Sequence, residues 1–269
     1  MTIRDNIRLC VIIPTYNNCG TIQQVVTDVS HQCEDIIVVN DGSTDATAEI
    51  LKTSPVKIEL VNYTPNRGKG HALVAGFHRA KELGYTHAIT IDADGQHFPS
   101  DIPAFLQALK QCSDGIIVGS RNLNEENMPR QNTFANRFSN FWFRLQTGIN
   151  LPDTQSGYRL YNLQALKGLN FITSRYEAEL ELMVFAAWNG SPIISIPVRV
   201  YYPPAEERVS HFRPVYDFFR ISVLNTFLCI GAVVYGLPKR ILRRTVFQSK
   251  PNRSAIDAQS DAKRGSLAR

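Results

Sequence analysis

Two aspartates near the end of an apolar segment are the residues best placed to do chemistry in this sequence. Asp92 and Asp94 follow the run Ile89-Thr90-Ile91 and stand two residues apart. In an open α/β sheet, ligands bind beyond the carboxyl ends of the strands. If the chain leaves the sheet here, both carboxylates converge on one cation, and such oxygen ligands suit Mg²⁺ or Mn²⁺. A solvated turn is the alternative interpretation of the same residues.

Two other polar loops follow predicted strands and accompany the aspartates. Residues 41–45 read Asp-Gly-Ser-Thr-Asp, which is also the composition of a plain turn followed by a helix cap. Residues 66–70 read Asn-Arg-Gly-Lys-Gly and supply a cation and a flexible backbone. This loop lacks the spacing of the P-loop and of the dinucleotide-binding glycine motif, so an ATPase and a dehydrogenase lose their main support.

The elements that must position these loops alternate between apolar runs and segments of helical spacing. The sequence predicts strands at 9–14, 35–40, 56–61, 87–92, 115–119, within 153–161 and at 193–200. It predicts helices at 22–32 with Thr21 as the cap, from about residue 46, and at 71–83, 132–147 and 175–188. This alternation predicts an α/β fold with a mostly parallel central sheet and helices on both faces.

The positive charge is concentrated at the C-terminal end. The chain of 269 residues carries a net charge of +5, yet residues 239–269 hold nine Lys or Arg against two Asp. Residues 1–238 therefore carry a net charge of −2, so we expect no nucleic-acid partner. A basic segment favours the anionic cytoplasmic surface of a membrane. Five scattered cysteines predict reduced thiols, and the N-terminal residues predict no secretory signal.

An uncharged apolar segment precedes the basic tail. Residues 221–237 contain no charged side chain and have basic residues on both sides. They are short for the roughly 20 residues that span a bilayer. We expect attachment to the cytoplasmic face of a membrane, peripheral or shallowly inserted, through residues 214–245. A buried core helix or an oligomer contact is the alternative.

The chain is expected to divide into three parts. Residues 1–212 form the globular domain that carries the site, and residues 213–247 form a membrane-associated helical segment. Residues 248–269 form a disordered basic tail, because they offer nothing with which to build a core.

Five motifs stand in order along residues 8–212. They are Val11–Asn17, Val39–Asp45, Asn66–Gly70, Asp92–His97 and Gly119–Arg121. In this order they resemble family 2 glycosyltransferases with the GT-A fold, with a particular likeness to the dolichyl-phosphate mannosyltransferase and polyprenyl-phosphate glycosyltransferase branch. The resemblance implies an inverting enzyme that moves a sugar from a nucleoside-diphosphate sugar, with UDP or GDP, to a polyprenyl phosphate in a membrane.

The resemblance also implies roles for single residues. Nucleotide binding is implied for Pro14, Thr15, Tyr16, Asp41, Ser43 and Lys69. Asp92 and Asp94 would hold the diphosphate and the metal, Mg²⁺ or Mn²⁺, with Gln96 as a third metal ligand. Asp94, Arg121 and Arg208 are the candidate catalytic residues. Arg121 would lie near the transferred phosphate region, and Arg208 would bind the acceptor phosphate.

Departures from the family pattern concern both substrates. Asn18 stands where many relatives have glutamate, so one acidic contact to the donor is absent or supplied differently. His211 stands where the mannosyltransferases have a lysine, between Arg208 and Arg213. Residues 153–159 resemble an acceptor-side motif, and a structural turn with an exposed arginine is the equal alternative.

Alternatives remain for the acceptor and for the reaction. A hydroxyl acceptor would need a carboxylate to take its proton, and Glu179 is the candidate. However, Glu177, Glu179 and Glu181 alternate along a predicted helix and favour a solvated face. A nucleotidyltransferase would carry a Gly-rich basic loop after the first strand, where this chain has Pro14–Asn18. A non-catalytic scaffold is disfavoured by the intact metal motif.

Overall fold

A single seven-stranded sheet forms the centre of the protein. The computed structural model describes residues 7–122, 130–166, 173, 175, 177–202, 214–239 and 241–242, with the side chains of 130–134 and 214–219 excepted. The strands are β1 Leu9–Thr15, β2 Ile36–Asp41, β3 Glu59–Tyr63, β4 His87–Thr90, β5 Ile116–Arg121, β6 Arg159–Asn162 and β7 Ile193–Val198. Their order is β3-β2-β1-β4-β6-β5-β7. Only β6 runs antiparallel to its neighbours in this sheet, so the prediction of a mostly parallel sheet is confirmed.

Helices cover both faces of the sheet, as predicted. They are α1 Ile22–Ser30, α2 Thr47–Lys52, α3 Lys69–Glu82, α4 Ile102–Leu109, α5 Arg130–Thr147, α6 Glu177–Trp188 and α7 Pro214–Gly231. Helices α1 and α4 contribute to the core on one face, and α3, α5, α6 and α7 contribute to the core on the other. Successive residues of β1 alternate between the two cores, with Val11 in one and Ile12 in the other. A strand buried on both sides needs this nearly continuous apolar sequence.

Several elements differ from the sequence-based prediction, and β4, for example, ends at Thr90 rather than at 92. β3 begins at Glu59 rather than 56, because Val56 and Ile58 pack against the core before the chain pairs with β2. Helix α3 begins at Lys69, immediately after Gly68, whose φ of 97° lies in the left-handed region that favours glycine. Helix α4 and the 3-10 turn Pro99–Asp101 before it were not predicted, although buried Ile102, Phe105 and Leu109 do have helical spacing.

Helix α7 belongs to the core on one side only. It continues through a widened turn, Ala232–Gly236, and among the described residues Arg220–Lys239 is the one helix long and apolar enough to cross a membrane. Only 28% of that window is buried, and Leu224 and Leu228 enter the core. The core-helix alternative thus describes one side of α7 and leaves the other side exposed. The proposed boundary at 212 and the tail at 248–269 lie outside the described residues.

Candidate active site

The predicted site loops meet at one edge of the sheet. Parallel strands β1, β2 and β4 end at this edge, and so does β5. Antiparallel β6 begins there, since its first residue, Arg159, pairs with both Thr90 of β4 and Val118 of β5. The loops after β2 and β4, the end of β5 and the loop before β6 are therefore neighbours.

The Asp92–Asp94 segment leaves the sheet and is tied down from two sides. β4 ends at Thr90, and the Thr21 hydroxyl donates to the Ala93 carbonyl oxygen at 2.6 Å. This contact replaces the predicted N-cap, because the Thr21 side chain makes no capping hydrogen bond to α1. The amide of Gln96 donates to Asp94 Oδ1 at 3.0 Å, which closes the turn. Both aspartates are thus held beyond the strand end, as predicted.

The two aspartates are close enough to influence each other's ionisation. Burial and the negative charge of Asp92 raise the pKa of Asp94 to about 6. Burial also disfavours the charged form of Asp92, but Lys69 outweighs it and holds the pKa of Asp92 below its usual value. Lys69 therefore favours the charged form of Asp92, whereas the pKa of Asp94 is the higher of the two.

Lys69 lies between two carboxylates. Its Nζ is 2.6 Å from Asp92 Oδ1 and 3.0 Å from Glu179 Oε2. Burial opposes its charge, yet the two carboxylates outweigh burial and raise its pKa above the usual lysine value. The other oxygen of Glu179, Oε1, is buried and has no hydrogen-bond partner among the described residues. Lys69 thus links the first turn of α3, the loop after β4 and helix α6.

Gly157 leaves room for this ion pair. A Cβ atom at Gly157 would lie 2.5 Å from Asp92 Oδ2 and 2.8 Å from Lys69 Nζ. Both distances are shorter than any ordinary contact. The absence of a side chain at this position in the loop before β6 is what allows Asp92 and Lys69 to approach it.

Arg121 is held by a buried aspartate in the same loop. Its Nε donates to Asp153 Oδ2 at 2.6 Å, and its Nη2 donates to Asp153 Oδ1 at 3.0 Å. Asp153 is fully buried, and the paired guanidinium outweighs burial to hold the pKa of that carboxyl below its usual value. Arg121 is the last residue of β5, whose end lies at the same sheet edge as the loop that carries Asp92.

Arg159 orders the loop from inside the protein. It is fully buried, and it donates to the carbonyl oxygens of Ser156 at 2.6 Å, Thr154 at 3.0 Å and Glu179 at 2.9 Å. The alternative of an exposed arginine on a turn is therefore wrong. Arg159 ties the loop that carries Asp153 and Gly157 to helix α6.

Asp41 is buried and already accepts three hydrogen bonds. Asn66 Nδ2 and the Gly68 amide donate to its Oδ2 at 2.9 and 2.8 Å, and the Arg67 amide donates to its Oδ1 at 2.8 Å. A carboxylate has about four acceptor positions, so little capacity remains for a ligand. Asp41 holds the Asn66–Gly70 loop beside the strand end, and its contact with a nucleotide stays a prediction.

The loop after β1 is joined to the loop after β2. Asn17 has a φ of 54°, its amide donates to Ser43 Oγ at 3.0 Å, and its Oδ1 accepts the Thr44 amide at 2.8 Å. Asn18 Oδ1 accepts from the Thr15 hydroxyl at 3.2 Å and from the Tyr16 amide at 3.3 Å. Asn18, at the position of the family's glutamate, thus closes the turn after Pro14.

Comparison with known proteins identifies the family. The family model described as Glycosyl transferase family 2 matches residues 10–169, more than half of the chain. The chain belongs to this family. It is therefore a glycosyltransferase, and the nucleotidyltransferase and scaffold alternatives lose their support.

Curated relatives of this glycosyltransferase differ in the sugar that their names give. It is 34% identical over 213 residues to the UDP-N-acetylglucosamine–dolichyl-phosphate N-acetylglucosaminyltransferase of Methanococcus voltae, covering 71% of this chain and 85% of the relative. It is 31% identical over 209 residues to the polyprenol monophosphomannose synthase of Mycolicibacterium smegmatis, covering 73% and 78%.

Solved structures show the GT-A fold. The glucosyl-3-phosphoglycerate synthase of Mycobacterium tuberculosis in complex with UDP matches with a TM-score of 0.59 and 18% identity, over 83% of this chain and 79% of that one. A second structure of that synthase, with Mn²⁺, UDP-glucose and phosphoglyceric acid, matches with a TM-score of 0.56. At this identity the likeness concerns the fold alone.

The three alternating glutamates of this glycosyltransferase are buried, so the prediction of a solvated face is wrong. Glu177, Glu179 and Glu181 expose 3%, 5% and 0% of their surfaces. Glu177 pairs with Arg220 of α7, and Glu181 Oε2 accepts the Thr173 amide at 2.9 Å. The burial of these glutamates could have been predicted from the apolar residues on every side of α6, because a helix that is apolar all round is normally buried.

Other candidate site residues of the glycosyltransferase were not predicted from the sequence or lie outside the described residues. No local pattern predicts the pairing of Arg121 with Asp153 or the contact of Glu179 with Lys69, since both contacts join distant segments. Arg208 lies outside the described residues, together with Arg213 and His211, so its predicted role is untested by the geometry.

Proposed function

We propose that the protein transfers a sugar, with inversion, from a nucleoside-diphosphate sugar to a polyprenyl phosphate at the cytoplasmic face of a membrane. The observation that carries the choice of acceptor is the ion pair of Glu179 with Lys69. Glu179 is the carboxylate that would serve as a base for a hydroxyl acceptor. In this pair its Oε2 is bound to Lys69 Nζ. A phosphate acceptor is already anionic at neutral pH and needs no base. The names of both curated relatives point to lipid-phosphate acceptors of the same kind.

The donor is proposed to bind along the joined loops at the sheet edge. The nucleotide is proposed to be UDP or GDP. The residues assigned to it are Pro14, Thr15, Tyr16, Asp41, Ser43 and Lys69. Lys69 and Arg121 would face the diphosphate, because both are cations at the carboxyl edge of the sheet. Hydrogen-bond donors and cations stabilise the departing diphosphate most when they lie where its negative charge develops.

A divalent cation fits the residues at Asp92 and Asp94. The proposed donor set is the two carboxylates and the Gln96 amide oxygen, and among the described residues no group of three or more His, Cys, Asp and Glu side chains comes together as a metal site. Burial and the charge of Asp92 raise the pKa of Asp94 to about 6, and a cation bound at both carboxylates would oppose this shift. Mg²⁺ and Mn²⁺ accept such oxygen ligands. When bound, the ion supplies positive charge to the leaving diphosphate.

A hydroxyl acceptor is the second candidate, and one observation favours it. Glu179 Oε1 is buried without a hydrogen-bond partner among the described residues, so this oxygen is able to accept a proton or a substrate hydroxyl. This candidate requires Glu179 to act while its other oxygen remains paired with Lys69.

The acceptor is tested with two lipids that differ only in the phosphate. The purified full chain would be assayed with UDP- and GDP-sugars, with Mn²⁺, Mg²⁺ or EDTA, against a polyprenyl phosphate and the matching polyprenol. We expect transfer only to the phosphate, loss of transfer with EDTA and inversion of the anomeric configuration in the product by NMR. Equal transfer to the polyprenol would refute the phosphate acceptor.

The proposed role of Asp92 in holding the metal and the diphosphate has a matched control. Asp92→Asn should abolish transfer, whereas Asp114→Asn should leave transfer unchanged, because exposed Asp114 precedes β5 at the opposite edge of the sheet. Equal activity of the two variants would contradict the assigned site.

A further inference from the structure

The turn after β4 is joined to the segment that follows β7. The Tyr201 amide donates to the Gln96 carbonyl oxygen at 2.8 Å, and Val200 forms an isolated antiparallel bridge with His97. The amide of Gln96 in turn donates to Asp94 Oδ1 at 3.0 Å. The backbone after β7 therefore contacts one residue proposed to bind the cation, Gln96, and is connected through it to a second, Asp94.

Arg199 fixes that segment against the residues that follow the turn. Its backbone amide donates to Asp101 Oδ2 at 2.8 Å, and its Nε and Nη2 donate to Asp101 Oδ1 at 2.9 and 2.7 Å. Its Nη2 also donates to Ser100 Oγ at 2.8 Å, and its guanidinium carbon lies 5.3 Å from the centroid of the Phe98 ring. One arginine thus contacts three residues of the segment after the turn. We name these contacts the Arg199 clasp.

The inner side of the same turn is held by the core. His97 is buried, and its ring packs against that of Tyr158 with the centroids 5.1 Å apart. The Tyr158 hydroxyl donates to the Phe98 carbonyl oxygen at 3.3 Å, and its ring packs against Phe105 of α4. The Arg199 side chain, by contrast, is 63% exposed. The Arg199 clasp therefore holds the turn on the side that faces solvent.

Exposure of the Arg199 clasp separates its effect on the turn from its effect on the fold. An ion pair that solvent reaches contributes little to global stability, because water and salt screen it. Residues that support a metal ligand from outside nevertheless affect metal affinity strongly, since they fix the position and orientation of that ligand. Loss of the Arg199 clasp should therefore be felt at the cation site before it is felt in the melting temperature.

We infer that Arg199 is a positioning residue for the cation site, because the Arg199 clasp fixes the backbone to which the turn at Gln96 is hydrogen-bonded. The inference rests on the proposed function in one respect, that Asp94 and Gln96 hold the divalent cation. It adds that the geometry of the site depends on a residue after β7 that is not itself among the proposed ligands.

Cation-dependent binding of a nucleoside diphosphate tests this inference. Titration calorimetry of the full chain with UDP and with GDP would be repeated at a series of Mn²⁺ concentrations and in EDTA. Arg199→Gln should raise the Mn²⁺ concentration for half-maximal binding about tenfold, because the turn then lacks its support on the solvent side. Nucleotide affinity in EDTA and the melting temperature of the free protein should remain those of the wild type.

Two further variants make the test specific. Asp101→Asn removes the charge at the other end of the same ion pair and should shift the Mn²⁺ dependence in the same direction. Arg79→Gln is the matched control and should leave the Mn²⁺ dependence unchanged, because exposed Arg79 pairs with Glu59 at the start of β3, at the opposite edge of the sheet. Wild-type Mn²⁺ dependence in both Arg199→Gln and Asp101→Asn would overturn the inference. So would equal weakening of nucleotide binding with Mn²⁺ and in EDTA, since that result shows a general loss of the donor site.

The titrations separate this inference from the proposed function, because they require neither an acceptor nor turnover. A Mn²⁺ dependence that is present in the wild type and unshifted in both variants counts against the Arg199 clasp alone. Wild-type nucleotide binding that is the same with Mn²⁺ and in EDTA would refute the cation site, and the inference with it. A tenfold shift without any transfer to polyprenyl phosphate supports the inference and counts against the proposed acceptor alone.

Discussion

Lys69 is the residue on which the charges of the site converge. Its ammonium group forms ion pairs with two carboxylates, that of Asp92 in the loop after β4 and that of Glu179 on helix α6. Breaking a buried ion pair by removing one partner leaves an uncompensated charge, and this costs far more than the pair contributes. Removing the lysine takes the cationic partner from buried Glu179 and from Asp92, whose side chain is 25% exposed, whereas removing Glu179 still leaves Lys69 paired with Asp92.

The two substitutions should therefore differ in their effect on stability. Lys69→Met should lower the free energy of unfolding by about 3 kcal/mol. Glu179→Gln should cost clearly less, and Lys52→Met should leave the melting temperature nearly unchanged, because Lys52 is exposed and pairs with exposed Glu49. Denaturant unfolding measures all three. A Glu179→Gln variant less stable than Lys69→Met would contradict this account of the ion pair.

The sequence predicts the loop residues of the site better than their partners. Asp92, Asp94 and Lys69 were expected near one edge because strand ends converge there, and the structure brings Asp92 and Lys69 into contact. Glu179 was expected in solvent, since alternating glutamates normally mark an exposed helix face. Its burial depends on α3 and α7 packing around α6, which is long-range information that no local pattern contains.

Helix α1 has a task that its own sequence does not reveal. Thr21 looks like a helix cap, and its hydroxyl instead holds the carbonyl group between the two aspartates. Similarly, β6 reads as a strand but its antiparallel direction follows from the chain reversal before Arg159, which the fully buried guanidinium stabilises. Local spacing identifies elements, whereas direction and partner come from tertiary packing.

Thr21→Val should therefore weaken donor binding without unfolding the protein. Loss of one hydrogen bond costs about 1 kcal/mol, which corresponds to about a fivefold increase in the dissociation constant. Titration calorimetry with a nucleoside-diphosphate sugar and Mn²⁺ measures the change. Thr21→Ser keeps the hydroxyl and should bind like the wild type. Equal weakening by valine and serine would show that the methyl group, not the hydrogen bond, is what matters.

At the scale of the whole molecule, α7 is part of the folded core. Leu224 and Leu228 pack in the same core as Trp188, and Arg220 pairs with buried Glu177. Fully burying one leucine contributes about 1.5–3 kcal/mol, and a whole protein is stable by only about 5–15 kcal/mol. A catalytic domain that ended at residue 212, as expected from the sequence, would therefore lack the packing that α7 contributes to its core.

Deletion of residues 214–269 should destabilise the protein and impair donor binding. The reason is that truncation exposes Trp188 and leaves Glu177 buried without its arginine. Deletion of residues 243–269, which are polar by composition, is the control and should leave the melting temperature unchanged. A truncated chain that melts like the wild type would show that α7 is an independent appendage.

Gly157 makes the charge arrangement sensitive to a residue that carries no charge. The space beside it is filled by the carboxylate of Asp92 and the ammonium group of Lys69, both nearer than a methyl group tolerates. Alanine at this position would have to displace one of these two groups. The substitution itself would remove no ionisable group from the chain. A single added carbon atom is thus expected to separate partners that lie far away along the polypeptide, and the spacing of the site is governed as much by shape as by electrostatics.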